Sequence, residues 1–211
     1  VIRVPELETD CAESIVLYHE PVMTTEVMDL MKPLGSGLYL DGTVGGGGHS
    51  RLLLEMCREC RIIAVDCDHE ALEAAKTTLA PFGERVLFLR ARFDEALDKS
   101  GIVEPLSGAF LDLGVSSHQI DSDKRGFTFR RKVDLDMRMA SDEEGIPNAA
   151  QLLNDSNEKI LARIFHEYGE EPKARRLARE VVSRRNDKPF CTSDDLVAAY
   201  SKALGRKPKV K

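Results

Sequence analysis

Four short apolar runs, spaced by segments of helical periodicity, constrain the fold of this chain more than any other feature. They are Leu38 to Asp41 (LYLD), Ile62 to Asp66 (IIAVD), Val86 to Leu89 (VLFL) and Ala109 to Leu113 (AFLDL). Each is nearly continuously apolar, the pattern of a strand buried on both faces of a parallel sheet. His49 to Cys57 reads as a helix between the first two. His69 to Leu79 reads as another, with Ala71, Leu72, Ala75 and Leu79 on one side. Strand and helix alternate, so the fold class is α/β with helices on both faces of the sheet. Ligands of such sheets sit outside the carboxyl ends of the strands. Asp41, a glycine cluster, Asp66 and Asp112 all fall at those ends.

The glycine cluster is Asp41 to Ser50, DGTVGGGGHS. Glycines between a strand and a helix let the backbone approach a ligand closely. A triphosphate loop needs GxxxxGK[ST], and no Lys follows these glycines. A dinucleotide fingerprint needs a third glycine where Ser50 stands, so that match is incomplete. What remains is Asp41-x-x-x-Gly45-x-Gly47, which resembles the first motif of amino-group methyltransferases. Their methyl donor carries no phosphate, and a carboxylate by the turn can face its cationic amino group. Asp66, at the tip of the second strand, suits hydrogen bonding to ribose hydroxyls. It can instead cap the next helix, but Asp68 serves that purpose equally well.

The fourth run leads into Asp112-Leu-Gly-Val-Ser-Ser117. An exocyclic amine on cytosine is a poor nucleophile, because its lone pair is delocalised into the ring. Acceptors on its N–H groups localise that pair, and Asp112 and Ser116 are the right types for this catalytic role. The plainer alternative is a loop acid capping its own turn. Beyond Gly114 the sequence turns polar, then helical: Asn148 to Leu153, Ser156 to Tyr168, Pro172 to Arg185 and Ser193 to Leu204. Asp155-Ser-Asn-Glu158 resembles a capping box, and Gly169 is expected to end its helix.

Net charge is −6, but Lys173 to Lys211 holds twelve Lys/Arg against four Asp/Glu. An acidic body with a basic arm can hold a polyanion beside a separate pocket, or it can be merely a solvated helix face. Five scattered cysteines do not read as a disulfide framework, and Cys57-x-x-Cys60 is expected to be two half-buried thiols. No apolar run is long enough to span a bilayer, and the first residues look like neither a secretory signal nor a transit peptide. A soluble cytoplasmic protein without membrane partners is expected. No cluster of His, Cys and acids suggests a metal.

The motifs HEPV (His19 to Val22), DGTVGGGGHS, AVDCD (Ala64 to Asp68), FLDLGVSSHQID (Phe110 to Asp121), RGFTF (Arg125 to Phe129), LDMRM (Leu135 to Met139) and YGEE (Tyr168 to Glu171) occur in this order. Together they resemble the bacterial cytosine-N4 methyltransferase family of small-subunit ribosomal RNA. The chain departs from the family pattern at His118, at Val133-Asp134 and in the DCDH of Asp66 to His69. The resemblance implies a Rossmann-like class I methyltransferase with an inserted all-helical domain, using S-adenosyl-L-methionine on a cytidine of the decoding region. Residues 1–17 would be an extension, 18–120 the cofactor-binding domain, and 121–211 a loop and helical insertion. Carried over by motif, the cofactor contacts would be Gly47, Gly48, His49, Asp66, Phe93, Asp112 and Gln119, with Phe93 against the adenine. Family members continue beyond the equivalent of Lys211 and return to the sheet, so this sequence is expected to be part of a longer chain.

For the small-subunit RNA partner, Arg175, Arg176, Arg179, Arg184, Arg185 and Arg206 to Lys211 are candidates for phosphate contacts. Arg125, Phe127, Phe129, Met137, Arg138 and Met139 can close over a base that has left its stack, or simply pack the helices onto the sheet. Oligomeric state is open, with a homodimer as one option. Two other functions stay open: an amino-group methyltransferase on DNA or another RNA, and a nucleotide-binding fragment with impaired catalysis.

Overall fold

The computed structural model describes residues 21–32, 36–128, 130, 132–141 and 145–206. Its elements run α1 (Thr24–Met31), β1 (Ser36–Asp41), α2 (Gly48–Met56), β2 (Glu59–Asp66), α3 (His69–Leu79), β3 (Val86–Arg90), α4 (Ala96–Ser100), β4 (Gly108–Phe110) and α5 (Ser117–Asp121). Then follow α6 (Ala149–Asp155), α7 (Glu158–Glu167), α8 (Ala174–Arg185) and α9 (Ser193–Leu204). The Rossmann-like α/β class expected from the sequence is what forms.

The four strands are parallel, in the order β3-β2-β1-β4. Successive residues of a strand face opposite ways, and both faces of β1 and β2 are covered. Tyr39, Ile62 and Ala64 pack under α2 and α3 with Leu53, Leu54, Leu72, Ala75 and Leu79. Leu38, Leu40, Ile63 and Val65 face the other way, against Ala91 and Ala96. Helix α3 starts where expected because Asp68 caps it, accepting from Glu70 N at 3.1 Å.

Strand β4 is shorter than its apolar pattern predicts. The chain leaves the sheet after Phe110, whose carbonyl accepts from Gly42 N at 3.1 Å. Asp112 N then donates to the Thr43 hydroxyl at 2.7 Å instead of to a strand partner. A side chain from the glycine turn thus ends the strand and carries residues 111–116 across the sheet's carboxyl edge.

Helices α6 to α9 have their own core: Leu153, Leu161, Leu177, Ala178, Val181, Phe190, Ala199, Ala203 and Leu204, joined by Leu135. Asn154 fixes Phe190 by accepting from its N–H at 2.8 Å and donating to its carbonyl at 2.9 Å. The segment before α6 is sewn to these helices. Leu135 N donates to Cys191 O, Ser193 N to Val133 O, and Ala149 N to Asp136 O, at 2.8–3.0 Å. One expectation is corrected here. Asn157, not Asp155, caps α7, accepting from Ile160 N at 2.9 Å. Helix α7 ends just before Gly169, as expected, and the left-handed residue that follows is Glu170 (φ 49°). Gly169 is needed for space, since a Cβ there would lie 2.8 Å from the Phe165 carbonyl oxygen.

Cys57 and Cys60 are also corrected: they are buried, not half-buried, and joined as a disulfide. Cys57 ends α2 and Cys60 lies in β2, which places their Cα atoms 5.4 Å apart, inside the bridging range. Arg85 holds the same turn by donating to the carbonyls of Leu54, Cys57 and Arg58. Among the described residues, no helix is long and apolar enough to cross a membrane. With Cys57 and Cys60 bridged, thiol titration of the denatured, unreduced chain is expected to give at most three of the five thiols, rising to five after a dithiol reductant. Five thiols before reduction would contradict the bridge.

Candidate functional site

A crevice of about 390 Å³ opens at the carboxyl edge of the sheet. The turn after β1 supplies Gly42, Thr43 and Gly45, and the end of β2 supplies Asp66 and Cys67. Ala91, Arg92 and Phe93 follow β3, and residues 112–116 cross beyond β4. Gln119 and Met139 close one side. The turn approaches its neighbours closely: a Cβ on Gly42 would lie 2.4 Å from Leu111 Cδ2 and 3.1 Å from Phe93 Cβ.

Five amides of this turn, those of residues 42–45 and 47, donate within the protein. Gly42 N donates to Phe110 O, Val44 N to Val65 O and Gly47 N to Val44 O, at 2.8–3.1 Å. Thr43 N donates to Asp41 Oδ1 at 3.2 Å and Gly45 N to Asp66 Oδ2 at 3.0 Å. Phosphate sites depend on free amides at such a turn and helix start. Here the start of α2 is covered as well, because a Cβ on Gly48 would lie 2.7 Å from Pro21 Cγ.

Asp66, Phe93, Asp112, Ser116 and Gln119 are brought together as expected, all lining the crevice. Asp66 Oδ1 accepts from Asp68 N at 2.9 Å. Burial pushes its carboxyl above the ordinary value and the neighbouring Asp68 charge adds to this, while the N–H bonds from Asp68 and Gly45 pull it back. Phe93 is 44% exposed, so it offers a ring face and is not an ordinary core residue. Asp112 is exposed, and its carboxylate has no partner among the described residues. Ser116 caps α5: its Oγ accepts from Gln119 N while Gln119 Oε1 accepts from Ser116 N. Gln119 Nε2 donates to Asp68 Oδ2 and to Met139 O, so this side chain chiefly shapes the wall.

Other residues expected at the site lie elsewhere in the fold. Gly47, Gly48 and His49 lie outside the crevice lining. Gly47 has φ 84° as it starts α2, and its Cα backs onto Leu79 and Ala75. His49 is buried, its Nε2 at 2.8 Å from Val22 O. Asp41 does not face the crevice either; it is 2% exposed and accepts from Ser50 Oγ at 2.6 Å. Arg125 is no surface contact but a buried cation paired with Asp68 and Glu70. Thr43, Cys67 and Arg92 were missed, although all three flank strand ends, which was a usable signal; Met139, named from the sequence for closing over a base or packing, forms part of the crevice wall.

Arg138 is bound to Asp136 at 2.6 Å and lines a second cavity, of about 500 Å³, between residues 136–140 and 146–147 on one side and α6–α7 on the other. Phe127 is half-buried and lines neither cavity. Arg175 and Arg176 are exposed and make no ion pair among the described residues. With Lys159, Arg163, His166 and Lys173 they border an open groove between α7 and α8. Arg184 and Arg185 are turned to structural use: Arg184 pairs with Glu180, and Arg185 donates to the carbonyls of Leu153 and Ser156. Residues 1–20, Phe129 and the arm from 207 to 211 lie outside the described residues. Among those described, no group of three or more His, Cys, Asp or Glu is placed to hold a metal ion.

The sequence model of the MraW methylase family matches residues 16–211. "Ribosomal RNA small subunit methyltransferase H" of Thermotoga neapolitana is 46% identical over 190 residues, 89% of this chain and 62% of that protein. The proteins of the same name from Heliobacterium mobile and Trichormus variabilis are 42% and 45% identical, over 89% and 91% of this chain and 61% and 60% of theirs. The chain thus spans about three fifths of the length of the curated relatives it matches.

Asp41 carries a measurable signature of its position. Burial raises its carboxyl from the ordinary 3.8 to about 6, against the bonds from Ser50 and Thr43 that lower it. The native state therefore binds this proton more tightly than the unfolded chain. Stability is unaffected well below pH 3.8 and falls as pH rises through about 6. The full difference is about 3 kcal/mol, at about 1.4 kcal/mol per pH unit. Asp41→Asn keeps an acceptor and loses the charge. Relative to the parent it is expected to be more stable by up to about 3 kcal/mol at pH 8 than at pH 3, in urea unfolding at the two pH values. A pH-independent difference would remove the assignment.

Proposed function

The chain belongs to the MraW methylase family, and from that premise we propose that it carries the cofactor crevice of an S-adenosylmethionine-dependent methyltransferase acting on the N4 amine of a cytidine in small-subunit ribosomal RNA. The observation that carries the cofactor assignment is the internal engagement of the amides of residues 42–45 and 47, together with Pro21 packed against the start of α2. A phosphate-bearing nucleotide finds those five donors already taken. A nucleoside with a positive charge and no phosphate suits a crevice edged by Asp66 and Asp112 and floored by Ala71, Ala91 and Phe93. The substrate class rests on the relatives, which share the name ribosomal RNA small subunit methyltransferase H. Cytoplasmic location belongs to the same proposal.

Asp66 would accept from the ribose hydroxyls and Phe93 would lie against the adenine. When bound, the cofactor supplies a methyl group on a sulfonium. Asp112, exposed and without a protein partner, accepts from the cytosine amine and so localises the nitrogen lone pair. Ser116 Oγ, already an acceptor for Gln119 N, adds a second polar group beside it. Holding the amine in line contributes much of the acceleration, and the released proton passes to Asp112 or to solvent. The target base must leave its stack to reach the crevice. Arg175 and Arg176 would contact phosphates, positioning the RNA rather than reading its sequence.

Asp66→Ala is expected to weaken S-adenosylmethionine binding about tenfold or more in calorimetry. Asp112→Ala is expected to leave affinity within about threefold and to lower turnover about a hundredfold. The substrate assay offers small subunits, naked ribosomal RNA and DNA; transfer to DNA alone would overturn the reading. Reversing Arg175 and Arg176 to Glu should weaken RNA binding and flatten the slope of log K against log salt by about 1.4. An unchanged slope would clear this face of any role.

A further inference from the structure

Arg125 stands in a polar, charged loop, yet its side chain is 2% exposed. One end of its fork faces the sheet: Nη1 donates to Asp68 Oδ2 at 2.7 Å and to Glu70 Oε2 at 3.1 Å. The other end faces the segment before α6, with Nη2 donating to Met139 O at 2.6 Å. The backbone joins in, because Met137 N donates to Arg125 O at 2.9 Å. Gly126 makes the approach feasible. Its φ is 76°, and a Cβ there would lie 2.6 Å from Asp134 O and 2.8 Å from Asp136 N.

Both ends of this fork reach the crevice. Asp68 N donates to Asp66 Oδ1, so a fixed Asp68 fixes the orientation of the Asp66 carboxylate. Met139 lines the crevice and also the second cavity, and is a wall common to both. The segment 133–136 behind Met139 belongs by its hydrogen bonds to the helical core.

We infer that Arg125 is a positioning residue for methyl transfer: it locks the helical segments to the tip of β2, setting the Met139 wall and the Asp66 carboxylate together. The inference rests on the proposed cofactor site. A planar guanidinium can serve Asp68 and the Met139 carbonyl at once; a lysine ammonium keeps the charge but not the fork. Cofactor binding and docking of segment 133–141 are then one coupled equilibrium, each favouring the other.

The test is Arg125→Lys in the full 211-residue chain, read by amide hydrogen exchange without ligand and by calorimetry with S-adenosylmethionine. Segment 133–141 is expected to exchange at least tenfold faster while α8 and α9 keep their protection, and cofactor affinity is expected to fall about tenfold. In a turnover assay KM for the cofactor should rise more than kcat falls. Should Arg125→Lys not fold, Arg125→Met with Asp68→Asn removes both buried charges together and is read in the same way. Parental exchange in 133–141 together with parental affinity would overturn the inference, as would loss of protection spread evenly over α8 and α9. If the parent chain binds no S-adenosylmethionine, the proposed function fails, and the lock is judged by hydrogen exchange alone.

Discussion

The hydrogen bond from Gly45 N to Asp66 Oδ2 fastens the turn after β1 to the tip of β2, and the rest of the site is built outward from it. Asp66 also accepts from Asp68 N, Asp68 caps α3, and Asp68 in turn holds Arg125 and Gln119. One residue of backbone therefore connects two strand ends, a helix start and a distant loop. The arrangement has an electrostatic consequence. Asp68 and Glu70 share the buried guanidinium of Arg125, and Asp66 stands beside Asp68, leaving excess negative charge beside the crevice. That surplus, together with the engaged amides of residues 42–45 and 47, distinguishes this α/β edge from phosphate-binding edges.

What the sequence made legible follows from how local each cause is. The apolar runs of β1 and β2 and the stripe of α3 were readable because burial on both faces, or on one, writes its period directly into the chain. Strand β4 was misread at its end because the group that terminates it, the Thr43 hydroxyl, lies 69 residues away. The glycine cluster was readable as a turn. Which glycines face a ligand was not, since Pro21 and Leu79 decide that by contact across the fold. Arg125 shows the same limit from the other side. An arginine among Ser, Asp, Lys and Gly reads as a surface cation, and only its pairing with Asp68, 57 residues away, makes burial tolerable. Arg185 was likewise counted in a basic arm, although its fork serves the carbonyls of Leu153 and Ser156.

The distribution of charge bears on how an acidic chain could serve the proposed RNA substrate. A phosphate backbone is repelled by Asp66 and Asp112, and at physiological salt that repulsion extends over about 8 Å. A neutral cytosine ring is not repelled, so on the proposed reading the crevice would admit the base and reject its backbone. The groove between α7 and α8 has the opposite balance. Its acids Glu158 and Glu167 lie near Arg179 and Arg163, at 3.8 and 3.9 Å, while Arg175 and Arg176 keep unshared charge. These surface pairs contribute little to stability, but they set a cation beside each of the two carboxylates that line the groove among the described residues. On the proposed reading, phosphates and base are sorted to different faces of the helical segments. The geometry between those faces then matters for the reaction, and a rigid connection from the helices to the tip of β2 is what such sorting requires.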